Sequence, residues 1–215
     1  MPNVSLTING QAIEAPAGTT VLKAARLASI DIPTLCDHPA LVSIGACRMC
    51  VVEIDGQRTL QTACTFPVGE GMVIHTESPR VVNARKLVLD LIFSERNHFC
   101  MYCEASGNCE LQNLGYRYNV KNWAYPTYTK PYPLDSSHKF YLMEHNRCVL
   151  CWRCIRGCSE LSANHTLGLG QRGTRTMINA DLDTPLGQSS CISCGTCVQL
   201  CPTGALFEKR SAFMC

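Results

Sequence analysis

Of the 215 residues, 16 are cysteine, and their positions are not scattered. They fall into four groups: Cys36, Cys47, Cys50 and Cys64; Cys100, Cys103 and Cys109; Cys148, Cys151, Cys154 and Cys158; and Cys191, Cys194, Cys197 and Cys201, with Cys215 left over at the end. The third and fourth groups share the spacing C-x2-C-x2-C-x3-C at an offset of 43 residues, an internal repeat that two copies of one supersecondary unit would explain. Thiols three residues apart in a tight turn converge on one side, and a fourth ligand must then come from elsewhere. That arrangement suits an iron-sulfur cubane. A single tetrahedral zinc ion, the alternative, is usually held by two well-separated pairs.

Composition narrows the chemistry further. A net charge of +2 and a pI near 7.9 exclude the strongly basic balance of a nucleic-acid binder, and 46% hydrophobic residues exclude a disordered chain. The longest apolar stretches, such as Leu87 to Phe93 with Asp90 inside it, fall far short of the roughly 20 residues a bilayer span needs. Met1 to Gly10 has no basic region followed by an apolar core. The expectation is a soluble cytoplasmic chain with no membrane span, in a reducing compartment where thiols bind metals rather than pair as disulfides.

The elements that must position these thiols are legible in part. Val4 to Ile8 alternates apolar with polar, Asn9-Gly10 is a two-residue hairpin signal, and Gln11 to Ala15 resumes the alternation, so the chain opens with a β-hairpin. Thr19 or Thr20 caps a helix over about Val21 to Ser29, which Pro33 keeps from continuing, and Cys36 follows in a loop. Met49 to Ile54 and Thr59 to Thr62 flank Asp55-Gly56, a second hairpin signal. Ser78-Pro79 starts a helix that runs to about Glu95 and delivers the chain to His98 and Cys100. From Tyr116 to Asp135 the sequence is rich in Tyr, Pro and Asn without either period, which marks a connecting segment. Gly168 to Gly173 fits G-x-G-x-x-G, but no helix-forming run follows and no acidic residue stands about 20 positions on, so a β-hairpin is the simpler reading than a dinucleotide site.

The paired C-x2-C-x2-C-x3-C runs resemble those of bacterial two-cluster ferredoxins, in which the fourth cysteine ligates the other cluster. The resemblance implies Cys148, Cys151, Cys154 and Cys201 on one 4Fe-4S cluster and Cys158, Cys191, Cys194 and Cys197 on a second. Pro202 after Cys201 matches the family's ending, and Ser159 after Cys158 departs from it. Gly195-Thr196 and Arg156-Gly157 lie where backbone N–H groups are expected to point at sulfurs. The first group, C-x10-C-x2-C-x13-C, resembles plant-type 2Fe-2S ferredoxins with the first gap widened as in complex I and hydrogenases, which implies Cys36, Cys47, Cys50 and Cys64 on a 2Fe-2S cluster. Gly45 and Ala46 keep that loop small beside the metal. The second group, C-x2-C-x5-C, is similar to the histidine-ligated 4Fe-4S motif that follows in the same families. His98 is then the fourth ligand beside Cys100, Cys103 and Cys109, with a water or His75 as the alternatives. One residue, Phe99, separates His98 from Cys100 where the family pattern has three.

The order of these motifs over nearly the whole chain resembles the amino-terminal electron-transfer region of the large iron-sulfur subunit of complex I, iron-only hydrogenases and some NAD-dependent formate dehydrogenases. A stand-alone chain of this build looks most like the diaphorase iron-sulfur subunits of NAD-reducing, bidirectional nickel-iron hydrogenases; a longer parent protein is the alternative. The resemblance implies an α+β fold: a β-grasp 2Fe-2S ferredoxin domain (1–78), a short helical histidine-ligated 4Fe-4S domain (79–118), a linker (119–138) and a two-cluster bacterial-ferredoxin-like domain (139–215). One 2Fe-2S and three 4Fe-4S clusters amount to about 14 iron atoms and turn the formal +2 into roughly −5. The implied role is one-electron transfer as a non-catalytic subunit, between a flavin and NAD-binding diaphorase subunit and the small and large nickel-iron hydrogenase subunits. A complex I or formate dehydrogenase fragment and a zinc protein are the competing readings. Cys215 is expected to be a spare thiol.

Overall fold

The computed structural model describes residues 2–121, 125–126 and 131–210, so Cys215 and part of the Tyr/Pro-rich connecting segment lie outside the described residues. The chain divides into two compact units, one of residues 1–37 and 43–89 and one of residues 38–42 and 90–215.

The first unit is a five-stranded mixed sheet with a short helix against it and the first part of a longer one. Strands β1 (Asn3–Ile8) and β2 (Gln11–Pro16) pair antiparallel from Asn3↔Pro16 to Ile8↔Gln11, and the turn places Asn9 and Gly10 at φ of 51° and 82°. Both central residues are left-handed, as the twist of a two-residue hairpin requires. Helix α1 (Val21–Leu27) begins where Thr20 Oγ1 accepts the Lys23 N–H at 3.4 Å, and ends ahead of Ser29, which turns left-handed at φ 58°. Its Val21, Leu22, Ala24 and Ala25 pack with Leu6, Ile8, Ile13 and Ile74 to form the core.

Strand β3 (Val51–Ile54) pairs with β4 (Gln61–Thr62) through Val51↔Thr62 and Val52↔Gln61 only. The turn expected at Asp55-Gly56 forms, closed by the Gln57 N–H on the Ile54 carbonyl at 3.0 Å with Gly56 at φ 80°, but β4 begins only at Gln61; on the other edge of β3, Glu53 and Ile54 pair with His75 and Ile74 of β5 (Val73–His75), which also runs parallel to β1. The resulting order is β2-β1-β5-β3-β4. Helix α2 (Pro79–Glu95) starts with the Ser78 Oγ accepting the Val81 N–H at 3.3 Å, and the boundary between the units falls within it, after Leu89.

In the second unit α3 (Glu110–Arg117) follows Cys109 directly, so Tyr116 and Arg117 finish a helix instead of opening the connecting segment. Leu134 and Asp135, at the other end of that segment, form β6 (Leu134–Asp135) and pair with β7 (Tyr141–Glu144). Helix α4 (Arg153–Arg156) continues as a π-turn over Gly157–Leu161. The hairpin of β8 (Leu167–Gly170) and β9 (Met177–Ala180) occupies the G-x-G-x-x-G segment and the residues after it. Helix α5 (Thr196–Leu200) stops before Cys201, and β10 (Leu206–Glu208) completes the sheet β10-β7-β6.

The two repeats end differently for a reason visible in their sequence. Pro202 lacks an N–H and cannot prolong α5, whereas Ser159 has one and the helical path runs on through it, with its hydroxyl donating to the Ile155 and Arg156 carbonyls. Gly157 sits where α4 meets α5: a Cβ there would stand 2.2 Å from Leu200 Cδ1. Among the described residues no helix is long and apolar enough to cross a membrane.

A buried cation organises the turn that carries Cys50. Arg85 on α2 is fully buried and donates through Nε to the Met49 carbonyl at 3.0 Å and through Nη2 to the Val51 carbonyl at 2.8 Å, while Nη1 meets Glu77 at 3.0 Å. Replacing Arg85 with Met leaves both carbonyls without these donors. The expected result is a loss of about 3 kcal/mol from the first unit, read as faster hydrogen exchange at Val52 and Ile54.

Candidate metal centres

In the first unit Cys36, Cys50 and Cys64 are buried, on the loop after α1 and at the ends of β3 and β4, with Cys47 between them. The Cys36 and Leu35 N–H groups each donate to Cys47 Sγ at 3.4 Å, and the Cys47 N–H donates to Cys36 Sγ at 3.4 Å. The four thiols are close enough to share S–H bonds. Cys36 and Cys50 are held below the ordinary thiol range by S–H donation from Cys47 and Cys64, and those two donors are pushed above it. Gly45 takes φ 65° on the turn between Cys36 and Cys47, a conformation that suits glycine, and the Ala46 N–H points at Cys36.

In the second unit, His98, Cys100, Cys103 and Cys109 line one small cavity of about 20 Å³, with Phe93, Leu111 and Gly204 among its other walls. The short 3-10 turn Cys100–Tyr102 presents Cys100 and Cys103, and Cys109 stands in the extended N-cap position of α3. His98 is buried, its ring edge-on to Phe93 at 5.7 Å, and its Nε2 is a buried nitrogen with no hydrogen-bond partner. Burial, then the charges of Arg96 and Arg147, bring its pKa down to about 4, so the imidazole is neutral at pH 7 and carries a free lone pair. His75, the other candidate, is on β5 of the first unit beside Asp55 at 3.1 Å. Gly204 is required here for space, because a Cβ would stand 2.5 Å from Cys103 Sγ.

A second cavity of about 20 Å³ is lined by Cys148, Cys151, Cys154 and Cys201, closed by Met143, Ile178 and Leu206. Cys148 and Cys151 come from the turn ahead of α4, Cys154 from its first turn, and Cys201 from the other repeat. Burial first, and neighbouring sulfurs with it, push Cys148 up to about 11 and Cys151 and Cys154 higher still. The Leu150 N–H donates to Cys148 Sγ at 3.4 Å.

The remaining thiols among the described residues are Cys158, Cys191, Cys194 and Cys197. Cys197 is pushed up to about 12 by burial and then by Cys191, Cys194 and Cys158, which places those three sulfurs within electrostatic reach of it. Cys194 is the exposed member, and its pKa is lowered by the Ser162 hydroxyl, 3.3 Å away, and by Thr196. The Ser193 N–H donates to Cys191 Sγ at 3.5 Å. Thr196 thus does what was expected of it, but Arg156 and Gly157 do not. Their N–H groups donate to the carbonyls of Trp152, Arg153 and Cys154 within α4.

Each set includes at least one sulfur that resists ionisation where it stands, alongside Cys36, Cys50 and Cys194, which ionise more readily, and a metal would relieve the resistance by binding the thiolate. The orphaned His98 nitrogen and the cradle left by Gly204 fit a metal cluster in the same way. Sequence reasoning did not find Arg85, Arg96 or Gly204, since their roles depend on what touches them in space.

The chain resembles known iron-sulfur proteins along most of its length. A model of a 2Fe-2S iron-sulfur cluster binding domain matches residues 2–79, one of the NADH-ubiquinone oxidoreductase-G iron-sulfur binding region matches 85–123, and one of the ferredoxin-like domain of NADH-quinone oxidoreductase subunit 3 matches 140–207. The NADP-reducing hydrogenase subunit HndD of Solidesulfovibrio fructosivorans is 36% identical over 98% of this chain and 37% of its own length. An NADH-quinone oxidoreductase subunit of Streptomyces coelicolor is 36% identical over 98% of this chain and 25% of its own. The chain thus spans well under half the length of these curated relatives. A chain in the crystal structure of NAD+-reducing [NiFe]-hydrogenase in the H2-reduced state superposes with a TM-score of 0.92 at 33% identity, covering 99% of this chain and 90% of that one. Cysteine sets, fold and relatives converge: the chain belongs to the family of iron-sulfur electron-transfer subunits that includes the diaphorase subunit of NAD-reducing nickel-iron hydrogenase and resembles the amino-terminal region of the complex I large iron-sulfur subunit.

Proposed function

We propose that this chain relays single electrons between a flavin and NAD(H)-binding subunit and a nickel-iron hydrogenase module, coupling hydrogen oxidation to NAD reduction, and carries out no substrate chemistry itself. The observation that carries this reading is the match to the hydrogenase chain over 99% of one and 90% of the other. The clusters are one 2Fe-2S on Cys36, Cys47, Cys50 and Cys64 and three 4Fe-4S. The 4Fe-4S sets are His98 with Cys100, Cys103 and Cys109; Cys148, Cys151 and Cys154 with Cys201; and Cys191, Cys194 and Cys197 with Cys158. Support comes from the two cavities that four of these side chains line in each case, and from the mutual electrostatic effect of the other thiols. The corresponding modules are residues 1–78, 79–118 and 139–215, joined by 119–138.

When bound, such clusters supply paired oxidation states one electron apart. The residues of this chain hold the iron, keep water out and set the local field. Met143, Ile178 and Leu206 wall one site against solvent, and Phe93 and Leu111 wall another. N–H groups of Leu150, Ser193 and Cys47 point at ligand sulfurs and favour the thiolate. His98 donates a neutral nitrogen in place of a thiolate, which makes its site one unit less negative than its neighbours and raises its potential.

A second reading, the electron-input part of a complex I or formate dehydrogenase assembly, is supported by the 36% identity to the NADH-quinone oxidoreductase relative. Anaerobic purification of the native complex through a tag on this chain separates the two. Nickel with a co-purifying flavoprotein is the expected result, and iron with molybdenum or tungsten, or with neither, moves the assignment. At residue level, His98→Ala is expected to change the electron paramagnetic resonance signal of one cluster alone, and an unchanged spectrum rejects His98 as a ligand. Cys158→Ser is expected to damage the cluster of Cys191, Cys194 and Cys197; loss of the cluster of Cys148, Cys151 and Cys154 instead would show that the ligation is not crossed.

A further inference from the structure

Arg96 is buried in the second unit at 1% exposure. Its Nη1 donates to the His145 carbonyl at 2.7 Å, its Nη2 to the Thr176 carbonyl, and the guanidinium lies over the Tyr132 ring at 4.2 Å from the centroid. Its Nε has no hydrogen-bond partner, and among the described residues no carboxylate forms an ion pair with it. The contrast with its neighbours is direct, since Arg147 is paired with Glu104 and Arg153 with Glu110. A guanidinium in the dry interior with no counter-charge is strongly disfavoured, and two carbonyl dipoles and a ring face offset only part of that. Glu95 acts on Cys148, and Glu144 on His145, alongside Arg96, but among the described residues neither is paired with it, so its burial calls for a further source of negative charge close by.

The position of Arg96 says which. It precedes His98 by two residues, and the carbonyl it holds, that of His145, opens the 3-10 turn His145–Arg147 that leads straight into Cys148. Its charge is felt at both places, opposing the effect of burial at Cys148 and helping to hold His98 neutral.

We propose that Arg96 is the buried counter-charge of two 4Fe-4S clusters, that of His98, Cys100, Cys103 and Cys109 and that of Cys148, Cys151, Cys154 and Cys201, and that it raises the reduction potential of both. The inference rests on the cluster assignment above. Reduction adds one negative charge to a cluster, so a fixed cation beside it favours the reduced form, and removing the cation favours the oxidised one. Arg96 is a positioning and field-setting residue, not a ligand.

The test is a redox titration of the full chain in its complex, followed by electron paramagnetic resonance. Arg96→Gln is expected to shift both midpoints negative, by at least tenfold in the reduced-to-oxidised ratio at fixed potential, which is about 59 mV for one electron. Arg96→Lys should recover most of the shift, and the 2Fe-2S cluster and the cluster of Cys191, Cys194 and Cys197 should stay put. A fully loaded Arg96→Gln with unchanged midpoints overturns the proposal, as does an Arg96→Lys that shifts as far as the glutamine variant. Should Arg96→Gln not assemble, Tyr132→Glu, compared with Tyr132→Gln, sets a carboxylate against the intact guanidinium. A negative shift in the glutamate variant alone supports the role, and equal midpoints reject it. A wild-type chain without 4Fe-4S signals fails the cluster assignment itself, and this inference with it.

Discussion

Bringing several sulfurs together out of water is the constraint on which this structure turns. A thiolate in a low-dielectric interior is costly, and a second beside it costs more. Both effects are visible at Cys148, pushed up to about 11, and at Cys197, pushed up to about 12, where burial acts first and neighbouring sulfurs add to it. Left to themselves these groups stay protonated, and hold one another as neutral thiols. Iron changes the balance by taking the place of the protons, and folding and metal loading are therefore linked.

The fold serves that convergence with little regular structure to spare. In the second unit, α4 and α5 are of only four and five residues, and each is placed by the turn of cysteines ahead of it. Glycine permits close approach at two points: Gly157 lets α4 meet Leu200, and Gly204 leaves room for the Cys103 sulfur. The His98 site and the ferredoxin repeats are tied directly, because the Glu110 N–H donates to the Pro202 carbonyl at 2.9 Å and the Glu110 carboxylate pairs with Arg153. Moving one ligand turn therefore moves another, which suits sites whose spacing must stay constant.

What could be read from the sequence was what is set locally. Asn9-Gly10 specified its turn because two left-handed residues in a row admit few others, and Ser78-Pro79 marked the start of α2 because a cap and a fixed φ act within one turn. Helix α3 was not expected, since its buried face offers little more than Leu111 and Leu114, and its start is dictated by the extended Cys109. Strand β5, three residues long, exists because β1 and β3 offer it edges on both sides. Cysteine spacing marked out the groups of thiols along the chain, since residues within one turn are a local matter. The buried arginines did not announce themselves, since nothing in the neighbouring residues distinguishes Arg85 or Arg96 from an arginine on the surface.

Iron and sulfide counted per chain after anaerobic purification show whether all four thiol sets are loaded. Full loading gives about 14 of each, with one 2Fe-2S and three 4Fe-4S signals, one of them histidine-ligated. Zinc in place of iron, or iron without matching sulfide, would contradict it.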